Sequence, residues 1–328
     1  MIVTVVGSYP KLSESGGPNL RRTINRFEEG LASPREVEEV TVATIRRVIR
    51  EQEEAGVELV TDGQVRWDDL VTPIARDLGS VDIGGLVRFF DNNVYYRRPI
   101  IKGRVWFRGS SLVFEARQAV TMARRPVKAV LPGPYTLMRL SLNEHYSRTA
   151  DLISDLAANL NLEARALAEA GVAMVQFDEP SLVFGAPADD VRLAREAMAA
   201  AVDGLSVPTA LYTYFRDAGP LFEALAEFPV SVVGFDAVSG PGVIERLARE
   251  GYPRAVALGL VDGREWRLED ARELAGAIER VAAAVGSERL YVNPSCGLEF
   301  LPQGRALAKL RRLREAVDLV SGTPGKSA

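Results

Sequence analysis

The stretch Val172-Ala173-Met174-Val175-Gln176-Phe177-Asp178-Glu179-Pro180-Ser181 decides the fold. Residues 172–177 form an apolar run broken by a single amide, and two carboxylates and a proline follow it directly. Such a run is what a parallel strand covered on both faces requires. The segment before it, 150–170, has helical periodicity and ends at Gly171, the residue type that most readily closes a helix. A second helical pattern, 189–202, comes after it. Helix, strand and helix in succession make the repeating unit of a parallel sheet.

The same unit recurs along the chain. Strands are predicted at 2–6, 58–61, 127–131, 173–177, 209–214, 230–235, 255–260 and 290–292. Helices are predicted at 34–55, 150–170, 189–202, 220–227, 241–250, 268–285 and 304–320. The first of these has a proline at its start and Gly56 just past its end, the usual asymmetry of helix termini. Strands alternating with helices predict the α/β class and a (β/α)8 TIM barrel. We expect one barrel over 1–320. Residues 80–117 interrupt the alternation without a helical pattern, and they carry Phe89, Phe90, Tyr95, Tyr96, Trp106 and Phe107. They predict a β-hairpin inserted after the second strand, with its tip at Arg108-Gly109-Ser110-Ser111. The tail 321–328 is small and polar and is expected to be disordered.

Bulk properties exclude several function classes. The 328 residues suit one large barrel, and 47% hydrophobic content is enough to fill its core. The net charge of −4 and the lack of a basic stretch argue against a nucleic-acid partner. A lone cysteine excludes an internal disulfide and suits a reducing, cytoplasmic setting. The N-terminus Met1-Ile2-Val3-Thr4-Val5-Val6 lacks the basic flank of a signal peptide. No apolar run approaches the ~18 residues of a membrane span.

In a barrel of this kind the chemistry lies just past the C-terminal ends of the strands. Those positions read Gly7-Ser8-Tyr9-Pro10, Asp62-Gly63-Gln64-Val65-Arg66, Pro132-Gly133-Pro134-Tyr135-Thr136, Asp178-Glu179-Pro180-Ser181, Tyr212-Thr213-Tyr214, Asp236-Ala237-Val238, Asp262-Gly263-Arg264 and Asn293-Pro294-Ser295-Cys296-Gly297. Carboxylates recur at Asp62, Asp178, Glu179, Asp236 and Asp262. Acids gathered at one rim raise one another's pKa, or hold a cation or a substrate ammonium group. Gly7-Ser8 is either an ordinary tight turn or a cradle of N–H groups and a hydroxyl for a carboxylate. Asp178-Glu179-Pro180 is either a helix cap or a ligand contact. Cys296 is either a buried structural thiol or a metal-bound thiolate. His145, the only histidine, stands in the polar approach Asn143-Glu144-His145-Tyr146 and reads as a surface or supporting residue.

Taken in order, these segments resemble the cobalamin-independent methionine synthases, above all the short single-barrel forms. The similarity runs through Thr4-Val5-Val6-Gly7-Ser8-Tyr9-Pro10, Thr61-Asp62-Gly63-Gln64-Val65-Arg66, Gly133-Pro134-Tyr135-Thr136, Gln176-Phe177-Asp178-Glu179-Pro180-Ser181 and Asn293-Pro294-Ser295-Cys296-Gly297-Leu298. Other segments look like the N-terminal barrel of the long two-barrel enzymes: Phe89-Phe90-Asp91-Asn92-Asn93-Val94-Tyr95-Tyr96, Thr213-Tyr214-Phe215 and Gly259-Leu260-Val261-Asp262-Gly263-Arg264. The resemblance implies methyl transfer from a methyl-folate, methyl-pterin or corrinoid donor to the thiol of homocysteine, with zinc lowering the thiol pKa. It implies that Gly7 and Ser8 hold the amino-acid carboxylate and Asp178 its ammonium group. Asp62, Gln64, Tyr135 and Thr136 complete the expected substrate contacts; Asp178, Glu179 and Asp236 are the expected catalytic groups.

The sequence departs from the family in three places. Gln64 stands where a Glu would share the ammonium group. Of the zinc ligands, a His-x-Cys after strand five, a Glu after strand six and a Cys after strand eight, only Cys296 is present. The strand-five pair falls on Leu211 and Thr213, and Asp236 stands as a replacement for the Glu. Leu140 takes the place of a Trp that stacks on the pterin. Two alternatives to an active synthase therefore stand. One is a non-catalytic barrel that pairs with a separate zinc-bearing subunit. The other is a diverged enzyme of the same superfamily acting on another ligand.

Overall fold

A computed structural model of the chain describes residues 1–14 and 19–322. The chain divides into two compact units. The first comprises Met1–Arg66, Gln118–Val127 and Phe235–Ala328; the second comprises Trp67–Arg117 and Lys128–Gly234.

In the first unit, strand Leu290–Pro294 pairs in parallel with Ile2–Val3 on one side and Ala255–Val261 on the other. The predicted strand at 58–61 is reduced to two isolated bridges, Thr4 to Leu59 and Val60 to Val127. The ladder is short here because the chain turns at once into Asp62 and Gly63, where Gly63 has φ +72°. Helices Pro34–Glu54, Gly242–Glu250, Ala271–Val285 and Gln303–Ser321 agree with the periodicity of their sequences. Ser33 and Glu36 form a capping box at the start of Pro34–Glu54: the Ser33 hydroxyl accepts from the Glu36 N–H, and the Glu36 carboxylate accepts from the Ser33 N–H at 2.7 Å. Helix Leu20–Glu28 was not predicted, because it is strongly polar and buries only Leu20 and Thr23.

Ser321 belongs to the last helix, and Gly322 closes it at φ +65°. The rest of the expected disordered segment, 323–328, lies outside the described residues.

The second unit carries a parallel ladder. Strand Lys128–Pro132 pairs with Met174–Asp178, which pairs with Thr209–Tyr212, which pairs with the start of Val232–Asp236. Every residue of Met174–Asp178 is buried, as the opening stretch of sequence predicts. Helices Thr149–Glu169 and Ala188–Val202 flank it in sequence.

Strands Leu78–Arg88 and Tyr95–Phe107 pair antiparallel, and Ile100 and Ile101 pair in parallel with Leu142 and Asn143. Their connecting turn lies at 89–94, where Phe90 has φ +52°. The tip is therefore not Arg108-Gly109-Ser110-Ser111. That segment instead leads into helix Leu112–Met122. The Ser110 hydroxyl accepts from the Val113 N–H at 3.0 Å, and the Asp77 carboxylate accepts from the Ser111 N–H at 2.7 Å. Among the described residues no helix is long and apolar enough to cross a membrane.

The capping box gives a direct check on local stability. Ser33→Ala removes the side-chain acceptor for the first turn of Pro34–Glu54 and is expected to cost about 1 kcal/mol, read as a lower urea midpoint at unchanged slope.

Candidate functional site

In the second unit the end of strand Met174–Asp178 holds a chain of buried polar groups. Gln176 and Asp178 are two residues apart, so both side chains leave the same face of the strand. Lys128, only 2% exposed, donates from Nζ to Gln176 Oε1 at 2.5 Å. Gln176 Nε2 then donates to Asp178 Oδ1 at 2.6 Å, and the Tyr214 hydroxyl donates to Asp178 Oδ2 at 3.0 Å. Asp178 is 3% exposed, and both of its oxygens are engaged. Nζ of Lys128 also lies 4.8 Å from the centre of the Tyr212 ring. Burial pulls the Lys128 ammonium down to about 7, opposed by the charge of Asp178.

Glu179 points elsewhere. Its carboxylate accepts from the N–H groups of Tyr135 at 2.9 Å and Thr136 at 2.7 Å, the first turn of helix Pro134–Leu140. Free N–H groups at a helix start attract a carboxylate. Burial nevertheless pushes Glu179 up to about 7, with the hydrogen bonds from Thr136 and Tyr135 opposing. Gly133 makes the fit possible, since a Cβ there would overlap the Glu179 side chain. The Tyr135 hydroxyl donates to Asp190 at 2.9 Å, and Thr136 Oγ1 accepts from the Ser181 N–H at 3.2 Å. Sequence reasoning missed helix Pro134–Leu140 because Gly133-Pro134 reads as a turn, although proline is favoured at the first helical position.

Beside that helix lies a cavity of about 200 Å³ lined by Phe90, Tyr135, Arg139, Leu140, Ser181 and Phe184. The Ser181 hydroxyl is buried with no hydrogen-bond partner. Phe90 and Phe184 stack at 4.6 Å between centroids, and the Arg216 guanidinium lies 4.3 Å from the Phe184 ring centre.

The first unit assembles a second set. Gly7 is buried against the Gln64 carboxamide, which a Cβ would meet at 3.3 Å. The Thr61 hydroxyl donates to Gly7 O at 2.7 Å. Asp62 Oδ1 accepts from the Gln64 N–H at 2.9 Å, and Gln64 takes φ +51°. Gln64 Nε2 is buried without a partner. The Ser8 hydroxyl donates to the Glu299 carboxylate. Burial raises Asp62 and Glu299, while Lys11 pulls both down.

The zinc site that the resemblance implies does not fit these residues. Cys296 is 1% exposed, and burial pushes its thiol well up, with Glu299 and Asp236 adding to the rise. Cysteine ligates zinc as a thiolate, and one such residue is short of the three protein ligands that a catalytic zinc takes. Asp236 is engaged by its own loop: Oδ1 accepts from the N–H groups of Val238 at 3.0 Å and Ser239 at 2.8 Å, and Oδ2 accepts from the Ser239 hydroxyl at 2.7 Å. At the strand-five positions Leu211 is apolar, and Thr213 donates its hydroxyl to Gly234 O at 3.1 Å. Among the described residues no group of three His, Cys, Asp or Glu could hold a metal ion. Asp262 accepts from the Arg264 N–H at 2.8 Å, and His145 is exposed with its ring edge-on to Tyr146.

Lys128, Tyr214 and Glu299 were not among the residues expected from sequence. Lys128 was legible as a charge at the head of an apolar strand, and Glu299 as the acid following Cys296-Gly297-Leu298. Tyr214 was legible as part of the strand-end segment Tyr212-Thr213-Tyr214.

This geometry belongs to an α/β fold of the TIM-barrel type with polar groups at its strand ends. A structure of a B12-independent methionine synthase from Shewanella sp. W3-18-1, in complex with selenomethionine, has a TM-score of 0.83 at 24% identity; the likeness covers 98% of this chain and 97% of that one. A methyltransferase from Methanosarcina mazei has a TM-score of 0.63 at 12% identity, covering 97% of this chain and 94% of that one. Among sequences, the methionine synthase of Saccharolobus solfataricus is 30% identical over 322 residues, covering 98% of this chain and 93% of the relative. That of Sulfolobus acidocaldarius is 28% identical over 321 residues, covering 98% and 90%. The family model described as cobalamin-independent synthase, catalytic domain, matches residues 1–318. The chain belongs to the cobalamin-independent methionine synthase family.

Two outcomes follow from the buried acids and the thiol. Glu179 binds its proton more tightly when folded, so its contribution to stability is complete below pH 4.5 and is lost as pH rises through about 7. Glu179→Gln is therefore expected to flatten the stability profile across that window, by roughly 3 kcal/mol between its ends, in urea titrations at each pH. Cys296→Ser is expected to cost about 1 kcal/mol and to leave the zinc content of the purified protein unchanged, measured by elemental analysis.

Proposed function

We propose that this protein is a methyltransferase that moves a methyl group from a reduced folate, pterin or corrinoid donor to the thiol of homocysteine, in the cytoplasm. The whole-chain match to the synthase catalytic domain, residues 1–318, carries this reading. In the reaction a C–S bond forms, the bond from the methyl carbon to the donor breaks, and the thiol proton is released. Asp178 is assigned the substrate ammonium group. It is suited to that role because Gln176 and Tyr214 donate to its two oxygens and stabilise the anion. In the first unit, Gly7, Ser8 and Gln64 are assigned a substrate carboxylate; in the second unit, the cavity at Leu140 and Phe184 is assigned the donor. No step is routed through zinc, because the donor set does not fit the ion.

The incomplete donor set favours a second reading, in which the chain is a barrel that pairs with a separate zinc-bearing synthase subunit. Activity of the isolated, zinc-free chain would remove it. The primary test is methionine formation from homocysteine with methyl-tetrahydrofolate, methyl-tetrahydropterin or methylcobalamin in turn. Asp178→Asn is expected to lower kcat/KM roughly 10- to 100-fold, the worth of a hydrogen bond to a charged group. A lack of methionine above background with every donor would sink the methyltransferase reading.

A further inference from the structure

We propose that Phe90 and Phe184 form a stacking wall for a flat ring of the methyl donor, and that the Asp91–Arg216 ion pair is the latch that holds Phe90 in place. This rests on reading the cavity at Leu140 and Phe184 as the donor site. Both rings line that cavity, and they stack on each other at 4.6 Å between centroids. Phe90 stands in the connecting turn of the hairpin at φ +52°, a left-handed conformation that is rare for a bulky residue. Phe215, just past strand Thr209–Tyr212, stands at φ +77°, and its ring lies 6.0 Å from that of Phe90. A turn that needed only to reverse the chain would use glycine at such positions. Strained backbone of this kind persists where surrounding contacts hold it, and it gathers at ligand clamps. Each strained phenylalanine is followed by one member of an ion pair: Arg216 Nη2 donates to Asp91 Oδ2 at 2.6 Å. The same guanidinium lies 4.3 Å from the Phe184 ring centre. The buried Phe89 ring, edge-on to Tyr96 and Phe215, anchors the turn.

The cavity also holds an unmet polar group. Ser181 is 7% exposed, and its hydroxyl has no partner. A purely apolar ligand would leave it so, whereas a heteroaromatic ring brings flat faces to the phenylalanines and polar edge atoms to the hydroxyl. At about 200 Å³ the cavity has room for one such ring and not for a corrinoid macrocycle.

Titration calorimetry with 5-methyl-tetrahydrofolate and with methylcobalamin tests this. The wild-type protein is expected to bind the folate and not methylcobalamin. Phe90→Leu keeps an apolar side chain without the ring and is expected to weaken folate binding about three- to tenfold, the worth of an aromatic contact. Phe90→Tyr keeps the ring and is expected to retain the affinity, a contrast that mere filling of space would not produce. Asp91→Asn removes the latch and is expected to weaken the folate about two- to fivefold at low salt and less at high salt, where this exposed pair is already screened. Melting temperatures check that each variant is folded. If Phe90→Leu binds the folate as tightly as wild type, the wall is overturned, and if Asp91→Asn does so at low salt, the latch is overturned; in both cases the proposed function stands. If the wild type binds methylcobalamin in place of the folate, the wall falls and the donor is a corrinoid. If neither ligand binds, the wall and the donor cavity fall together, and methionine formation alone decides the methyltransferase reading.

Discussion

An ionisable side chain can stay inside a parallel sheet only when its hydrogen-bonding atoms are met by partners, because an unmet buried polar group costs more than most packing can return. In the second unit that constraint runs through Lys128, Gln176, Asp178 and Tyr214. The lysine takes the Gln176 carbonyl oxygen, so the amide must turn its N–H toward Asp178. The aspartate then receives two donors, one from Gln176 and one from Tyr214, and holds a fixed orientation at the strand end. Replacing any one member removes a hydrogen bond from its neighbour, so the four are coupled.

Adjacent carboxylates in this chain have taken opposite roles for the same reason. Asp178 and Glu179 are neighbours in sequence, but Asp178 ends the strand and Glu179 begins the turn that follows it. Asp178 joins the polar chain, whereas Glu179 meets the first amides of helix Pro134–Leu140. In the first unit, Asp236 is consumed by the amides of its own loop and Cys296 stays buried as a thiol. The groups that would have to release their partners to bind zinc are thus the ones the fold has already satisfied.

Much of the architecture was legible because apolar runs and helix caps are local signals. The strands at 128–132, 174–178 and 255–261 and the helices at 34–54, 149–169 and 271–285 lie within a few residues of their predicted positions. The misses have specific causes. Residues 58–61 have the composition of a strand but make only two bridges, since ladder formation depends on the neighbours rather than on the run. Helix Leu112–Met122 and the true turn at 89–94 were obscured because Gly109-Ser110-Ser111 and Asp91-Asn92-Asn93 both have turn chemistry, and only strand register distinguishes them.

The sequence by itself determined the α/β class, the residues at the strand ends and the family, because those are carried by periodicity and by short motifs at fixed spacing. It also exposed the missing zinc ligands, since the absence of a His-x-Cys is a property of residue types alone. Tertiary structure decided the partnerships. That Ser8 donates to Glu299, that Lys128 orients Gln176 and that Tyr214 completes Asp178 involves residues 291, 48 and 36 positions apart. Hydrogen bonds act over about 3 Å whatever the separation along the chain, so no local reading of residues could have supplied them.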